Sequence, residues 1–243
     1  MADEIDLDNL DLDDFDNIKL DKLSSSRQAI EKAKKYEEDF INNKLQELVD
    51  SRKKYSLNEV QSLINLGAKY KANNANLKKV IERYIEFAGT ECNLNWVDTS
   101  EITDMSELFA NSTFNGDISK WNVSNAKYMS WMFANSQFNG DISGWDVSNV
   151  EYMSWMFAES EFSGDISNWN VSKVIFLNGM FAASQFNGDI SGWDISKAIV
   201  MNYMFTGSQF AGDVSKWDVA KVRHKRFAFS NCPIPEKNKP QNL

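Results

Sequence analysis

The sequence predicts an α/β repeat solenoid of 24-residue turns, preceded by a small all-α segment. Three observations carry that prediction. Trp121, Trp145, Trp169, Trp193 and Trp217 recur every 24 residues, with Trp96 preceding them by 25. Phe109, Phe133, Phe157, Phe181, Phe205 and Phe229 keep the same step, as do Asp117, Asp141, Asp165, Asp189 and Asp213. A fixed period in this range means turns that each pack only on their neighbours. Ahead of them, residues 24–89 carry apolar side chains at three- and four-residue steps, the period of helices.

Taken in chain order, residues 1–23 hold nine acids against Lys19 and Lys22, a net −7 out of −9 for the whole chain. Such a segment buries too little apolar surface to offset its ordering entropy, so alone it is expected to be disordered. Ile5, Leu7, Leu10, Leu12 and Phe15 alternate with the acids, so a partner-docking peptide is the other reading. Residues 24–89 then read as about three helices. Ser24, Ser25 and Ser26 offer cap oxygens ahead of Ala29, Ala33, Tyr36, Phe40, Ile41, Leu45 and Leu48. Ser56 and Glu59 have capping-box spacing, Asn73-Asn74 breaks the run, and Gly89 can end the third helix. These helices form either a small bundle or a cap on the repeats.

Residues 90–230 read as about five repeats, with residues 231–243 a Pro-containing tail. Within one turn, Ile142, Trp145 and Val147 have the Leu-x-x-Leu-x-Leu spacing of a leucine-rich-repeat strand, while Met153, Met156 and Phe157 have that of a short helix. Columns that stay constant are core or corner. The tryptophans fill the interior, and the Asp117 column makes Asx-type corners, since one carboxylate per turn is too few oxygens for calcium. The column Asn122, Asp146, Asn170, Asp194, Asp218 alternates amide and acid in register, relieving charge repulsion.

The repeat Phe-Asn-x-Asp-Ile-Ser-x-Trp-Asp-Val-Ser-Asn-Val-x-x-Met-x-x-Met-Phe resembles that of the mycoplasma-type, BspA-like bacterial surface proteins over residues 96–230. The resemblance implies a leucine-rich-repeat-like, non-enzymatic interaction domain. In that family it is often carried by lipoproteins or adhesins at the cell surface.

The columns that vary should carry the function. One reads Asp104, Tyr128, Tyr152, Phe176, Val200, and the other Glu107, Trp131, Trp155, Gly179, Tyr203. No core column tolerates such changes, so both should face outward. Tyr128, Trp131, Tyr152, Trp155, Phe176 and Tyr203 are the candidate partner-binding residues, because exposed Trp and Tyr clusters concentrate binding energy. The competing reading packs these aromatics beneath the N-terminal helices.

Composition excludes much chemistry. His224 is the single histidine and sits in Lys-Val-Arg-His-Lys-Arg, where neighbouring cations repel a metal. There is no phosphate loop, Cys-x-x-Cys or His-Glu-x-x-His motif, so no enzyme, metal or cofactor is expected. Lys221, Arg223, Lys225 and Arg226 form a basic cap that either prevents end-to-end stacking or receives an acidic segment. Without a basic stripe along the turns, it argues against nucleic acid.

The expected partner is a protein rather than a small molecule. An alternative is a structural component of a virion or surface layer, adhesin-like, whose N-terminal peptide threads into a neighbouring subunit. No run is apolar enough to span a membrane. The acidic start favours a cytoplasmic or virion-associated protein over the cell surface. Cys92 and Cys232 should be unpaired, since about five turns separate them.

Overall fold

The computed structural model describes residues 27–50 and 57–241. The acidic segment 1–23, the cap serines 24–26 and Ser56 of the capping box lie outside the described residues. Three helices precede the repeats: α1 (Arg27–Asp50), α2 (Leu57–Asn65) and α3 (Leu77–Ala88). Each buries the apolar stripe that its period implies, with Ile41 and Leu45 on α1, Val60 and Leu63 on α2, and Leu77, Val80, Ile81 and Tyr84 on α3. Between α2 and α3 the Asn73 side chain accepts from the N–H groups of Ala75 and Asn76, and the Asn76 side chain accepts from the N–H of Asn73. That local pairing is what starts α3. Gly89, at φ 88, ends it by donating its N–H to the carbonyl of Ile85.

The helices form a cap joined to the repeats. Strand β1 (Tyr70–Lys71) pairs in parallel with β2 (Val97–Asp98), in register Tyr70 to Val97. The rings of Tyr70 and Tyr84 meet Trp96 edge-on, at 6.2 and 4.9 Å. One continuous apolar core runs from Ile41 through every turn to Ile234.

Each later tryptophan is tied to the turn before it. The indole N–H groups of Trp121, Trp145, Trp169, Trp193 and Trp217 donate to the carbonyls of Leu94, Ile118, Ile142, Ile166 and Ile190. Trp96 has the cap above it instead of a turn, and its buried indole N–H finds no partner among the described residues. The phenylalanines stack face to face down the core, Phe133 on Phe157 at 5.6 Å and Phe157 on Phe181 at 5.8 Å. Trp145, Trp169 and Phe157 are buried, as their constancy from turn to turn implies.

Within the turns the structure corrects two expectations. Among the described residues strand is confined to β1 and β2, so Ile142–Val147 is not a strand, although its apolar side chains point inward. Nor is Met153–Phe157 a helix. The N–H groups of Met153, Trp155, Phe157 and Glu159 donate to the next turn, to the carbonyls of Phe176, Asn178, Met180 and Ala182. Trp155 and Glu159 adopt left-handed backbone, with φ of 60 and 57. Left-handed residues break a right-handed helix, so the three- and four-residue spacing is met by successive turns.

Both aspartate columns make the corners. The Oδ1 atoms of Asp117, Asp141, Asp165, Asp189 and Asp213 each accept the N–H of the serine two residues on. Asn122, Asp146, Asn170, Asp194 and Asp218 repeat the arrangement five residues later, with Ala220 in place of the serine in the last turn. The hydroxyl and N–H of Ser143 hold the Asp141 carboxyl below its ordinary range. Cys92 and Cys232 are unpaired, one in the first turn and one beyond the last. Burial pushes the Cys92 thiol up to about 11.

Candidate interaction surface

The two variable columns form two rows of stacked rings. In the first, Tyr128 lies on Tyr152 at 4.8 Å and Tyr152 on Phe176 at 4.9 Å. Parallel bridges link the backbones of this column from Asp104 through Tyr128, Tyr152, Phe176 and Val200 to His224. Three residues further along each turn, Trp131 lies on Trp155 at 5.1 Å. The second row does not stop at Gly179. Trp155 reaches across that turn to stack on Tyr203 at 6.4 Å, and Tyr203 stacks on Phe227 at 5.4 Å.

Gly179 makes that reach possible. A Cβ at this position would stand 2.3 Å from the Trp155 ring, so the missing side chain is a notch in which the indole lies. The glycine that interrupts the column in sequence therefore joins the row in space.

The backbone of the second row is unusual for its residues. Glu107, Trp131, Trp155, Tyr203 and Phe227 have φ between 57 and 62, and Gly179 has 64. Bulky side chains are rare in this region, where asparagine and glycine are the ordinary occupants. A second left-handed column four residues on keeps to the ordinary occupants in part, with Asn111, Asn135, Gly207 and Asn231. Trp and Tyr in the first column cost on the order of 1 kcal/mol each relative to asparagine or glycine. Ring stacking offsets a comparable amount.

Tyr128, Trp131 and Tyr203 are 40%, 42% and 40% exposed, and Phe227 is 58% exposed. Tyr152, Trp155 and Phe176, between neighbours, are half-buried. Inner rings have their faces covered and present edges. Their hydroxyl and indole donors make no hydrogen bond among the described residues. The helical cap sits on Trp96 and meets the rows' margin through Lys78, which donates to the carbonyl of Glu107, and through Asn74, whose Oδ1 accepts the N–H of Asp104. The reading that packs these aromatics beneath the described helices is therefore set aside.

All six candidate residues thus lie in the two rows. Sequence reasoning missed Phe227, although one more 24-residue step from Tyr203 reaches it. At the far end Lys221, Arg223 and Arg226 are exposed and Lys225 is half-buried. Among the described residues no group of three His, Cys, Asp or Glu side chains converges to hold a metal ion, and no helix is long and apolar enough to cross a membrane.

In comparison with known proteins, the model of a family described as "Mycoplasma protein of unknown function, DUF285" matches residues 75–174 and 158–241. No curated protein matches, and no solved structure matches.

Proposed function

From the premise that this chain belongs to the Mycoplasma-type repeat family DUF285, we propose that it is a non-catalytic protein-interaction module. In this reading the repeats form a leucine-rich-repeat-like solenoid, and the two aromatic rows are its contact surface. The single observation behind it is that Trp131, Trp155, Tyr203 and Phe227 occupy left-handed positions on the surface. Strained backbone that carries exposed aromatics is where a contact surface is to be sought. Edge-on rings with unused hydroxyl and indole donors suit a protein surface, which offers apolar area and carbonyl acceptors together. They suit a sugar or other flat small molecule less well, because the ring faces are already occupied by neighbouring rings.

The test uses the full chain as bait, beside Trp131→Asn and Trp155→Asn variants. Asparagine tolerates the left-handed backbone, so the fold is retained. Each substitution should weaken a retained partner by on the order of 2 kcal/mol, about thirtyfold, while unfolding free energy changes by about 1 kcal/mol or less. If both variants keep every partner of the native chain, the rows serve packing alone and the proposal fails.

A further inference from the structure

One row of backbone hydrogen bonds runs forward through the stack, beside others that run back to the preceding turn. In the turn that holds Trp131, the N–H groups of Met129, Trp131, Phe133 and Asn135 all donate forward, to carbonyls of Tyr152, Ser154, Met156 and Ala158 at 2.8–2.9 Å. The pattern continues to Met201, Tyr203, Phe205 and Gly207, which donate to His224, Arg226, Ala228 and Ser230. There the repeat breaks, because Cys232-Pro233-Ile234-Pro235 comes next and proline has no N–H. The N–H groups of Phe227, Phe229 and Asn231 continue the same row and donate to nothing among the described residues.

Two features of this end suit an anion. The forward row ends there in N–H donors with no partner among the described residues, the kind of backbone concavity that binds anions. Arg223 and Arg226 stand exposed beside it. A concavity of about 720 Å3 lies between the last turn and the C-terminal tail, with Phe227, Phe229, Lys225, Lys237 and Lys239 on its walls. Among the described residues the one carboxylate lining it, Glu236, is paired with Lys239 at 2.6 Å.

Residues 1–23 have the complementary chemistry. They carry −7, and Glu4-Ile5-Asp6-Leu7-Asp8 and Leu10-Asp11-Leu12-Asp13 alternate acid with apolar residue. Extended, such a segment presents carboxylates on one face and apolar side chains on the other, with backbone carbonyls along its edge. Its carbonyls would meet the three unpaired N–H groups, its acids the arginines, and its apolar side chains Phe227. With residues 4–13 bound, residues 14–26 remain as the tether and extend to about 43 Å, against about five steps of roughly 5 Å between first and last turn. The tether also holds the segment at an effective concentration on the order of millimolar, which favours its own chain over a second copy.

We propose that the C-terminal edge of the stack binds this chain's own acidic segment, residues 1–23, as an added strand. The contact meets the aromatic rows only at Phe227, their last ring, and it places a charge-dependent latch at the opposite end from the helical cap. Amide hydrogen exchange on the full chain tests it. Exchange at Phe227, Phe229 and Asn231 should be about tenfold slower in the native chain than in a variant carrying Asp6→Asn, Asp8→Asn, Asp11→Asn and Asp13→Asn. Arg226→Glu should remove the protection as well, and Trp131→Asn should leave it intact, so this proposal and the aromatic rows stand or fall separately. Equal exchange in the native and tail variants overturns it. So does protection that grows with protein concentration, which would assign the strand to a second copy.

Discussion

Phe157→Ala is expected to lower unfolding free energy by about 3–5 kcal/mol, the cost of deleting a fully buried aromatic ring. Phe157 is at the centre of the stack with no exposed surface. Its ring contacts Phe133 at 5.6 Å, Phe162 at 4.4 Å, Phe181 at 5.8 Å and Trp169 at 6.2 Å. Truncation removes one ring from four pairs and leaves a cavity that neighbouring turns cannot fill, because each is pinned by its own indole bond to the turn before. Stability of stacked repeats is close to a sum of nearest-neighbour terms, so a break in the middle also uncouples the halves. Phe229→Ala in the last turn, where the ring is half-buried and stacks on one neighbouring turn at 5.4 Å, should cost less. Urea unfolding of the two variants checks this. Equal losses would mean that the ring column does not couple the turns.

Gly116→Ala should have the next largest effect on stability, about 1–3 kcal/mol or more, through overpacking. A Cβ at Gly116 would stand 2.0 Å from the carbonyl oxygen of Cys92 and 2.7 Å from the Phe114 ring. The first obstacle is backbone, so no rotamer change relieves it. In the matching glycines of later turns, Gly140 and Gly164, the first obstacle is the phenylalanine two residues earlier, at 2.9 Å. Gly116 is tighter because Asp117 donates its N–H to that same Cys92 carbonyl, where the chain leaves the helical cap. The added methyl group should loosen the junction between cap and stack, so that the cap melts first and unfolding splits into two transitions. Gly144→Ala is the control. Nothing lies within 4 Å of its Cβ, and its φ is not positive. Gly144→Ala should leave stability unchanged or raise it by about 0.4–1 kcal/mol. If the two substitutions melt alike, the close approach at Gly116 is relaxed at no cost.

The part of this protein legible in its sequence is the part whose physics is local or strictly periodic. Trp145 and Phe157 could be placed inside because identical side chains every 24 residues must stack on one another. Asp141 could be placed at a corner because a carboxylate two residues before a serine N–H makes its turn from its own chain segment. Three apolar stripes told of α1, α2 and α3, and Gly89 of the end of α3.

What one turn's sequence does not hold is where its N–H groups point. Met153, Met156 and Phe157 have helical spacing, yet their segment bonds to the turn 24 residues on, and that choice exists only once turns are stacked. The left-handed φ of Trp131 and Trp155 was hidden for the same reason: nothing in a tryptophan favours that region, and only the forward row of hydrogen bonds imposes it. Gly179 looked like a gap in a column and became the notch that holds Trp155. The three donors at Phe227, Phe229 and Asn231, unpaired among the described residues, are likewise a property of the assembled stack. Composition and period determined which side chains are buried. Only the tertiary structure, by aligning backbone donors from turn to turn, decided which surfaces are left to bind.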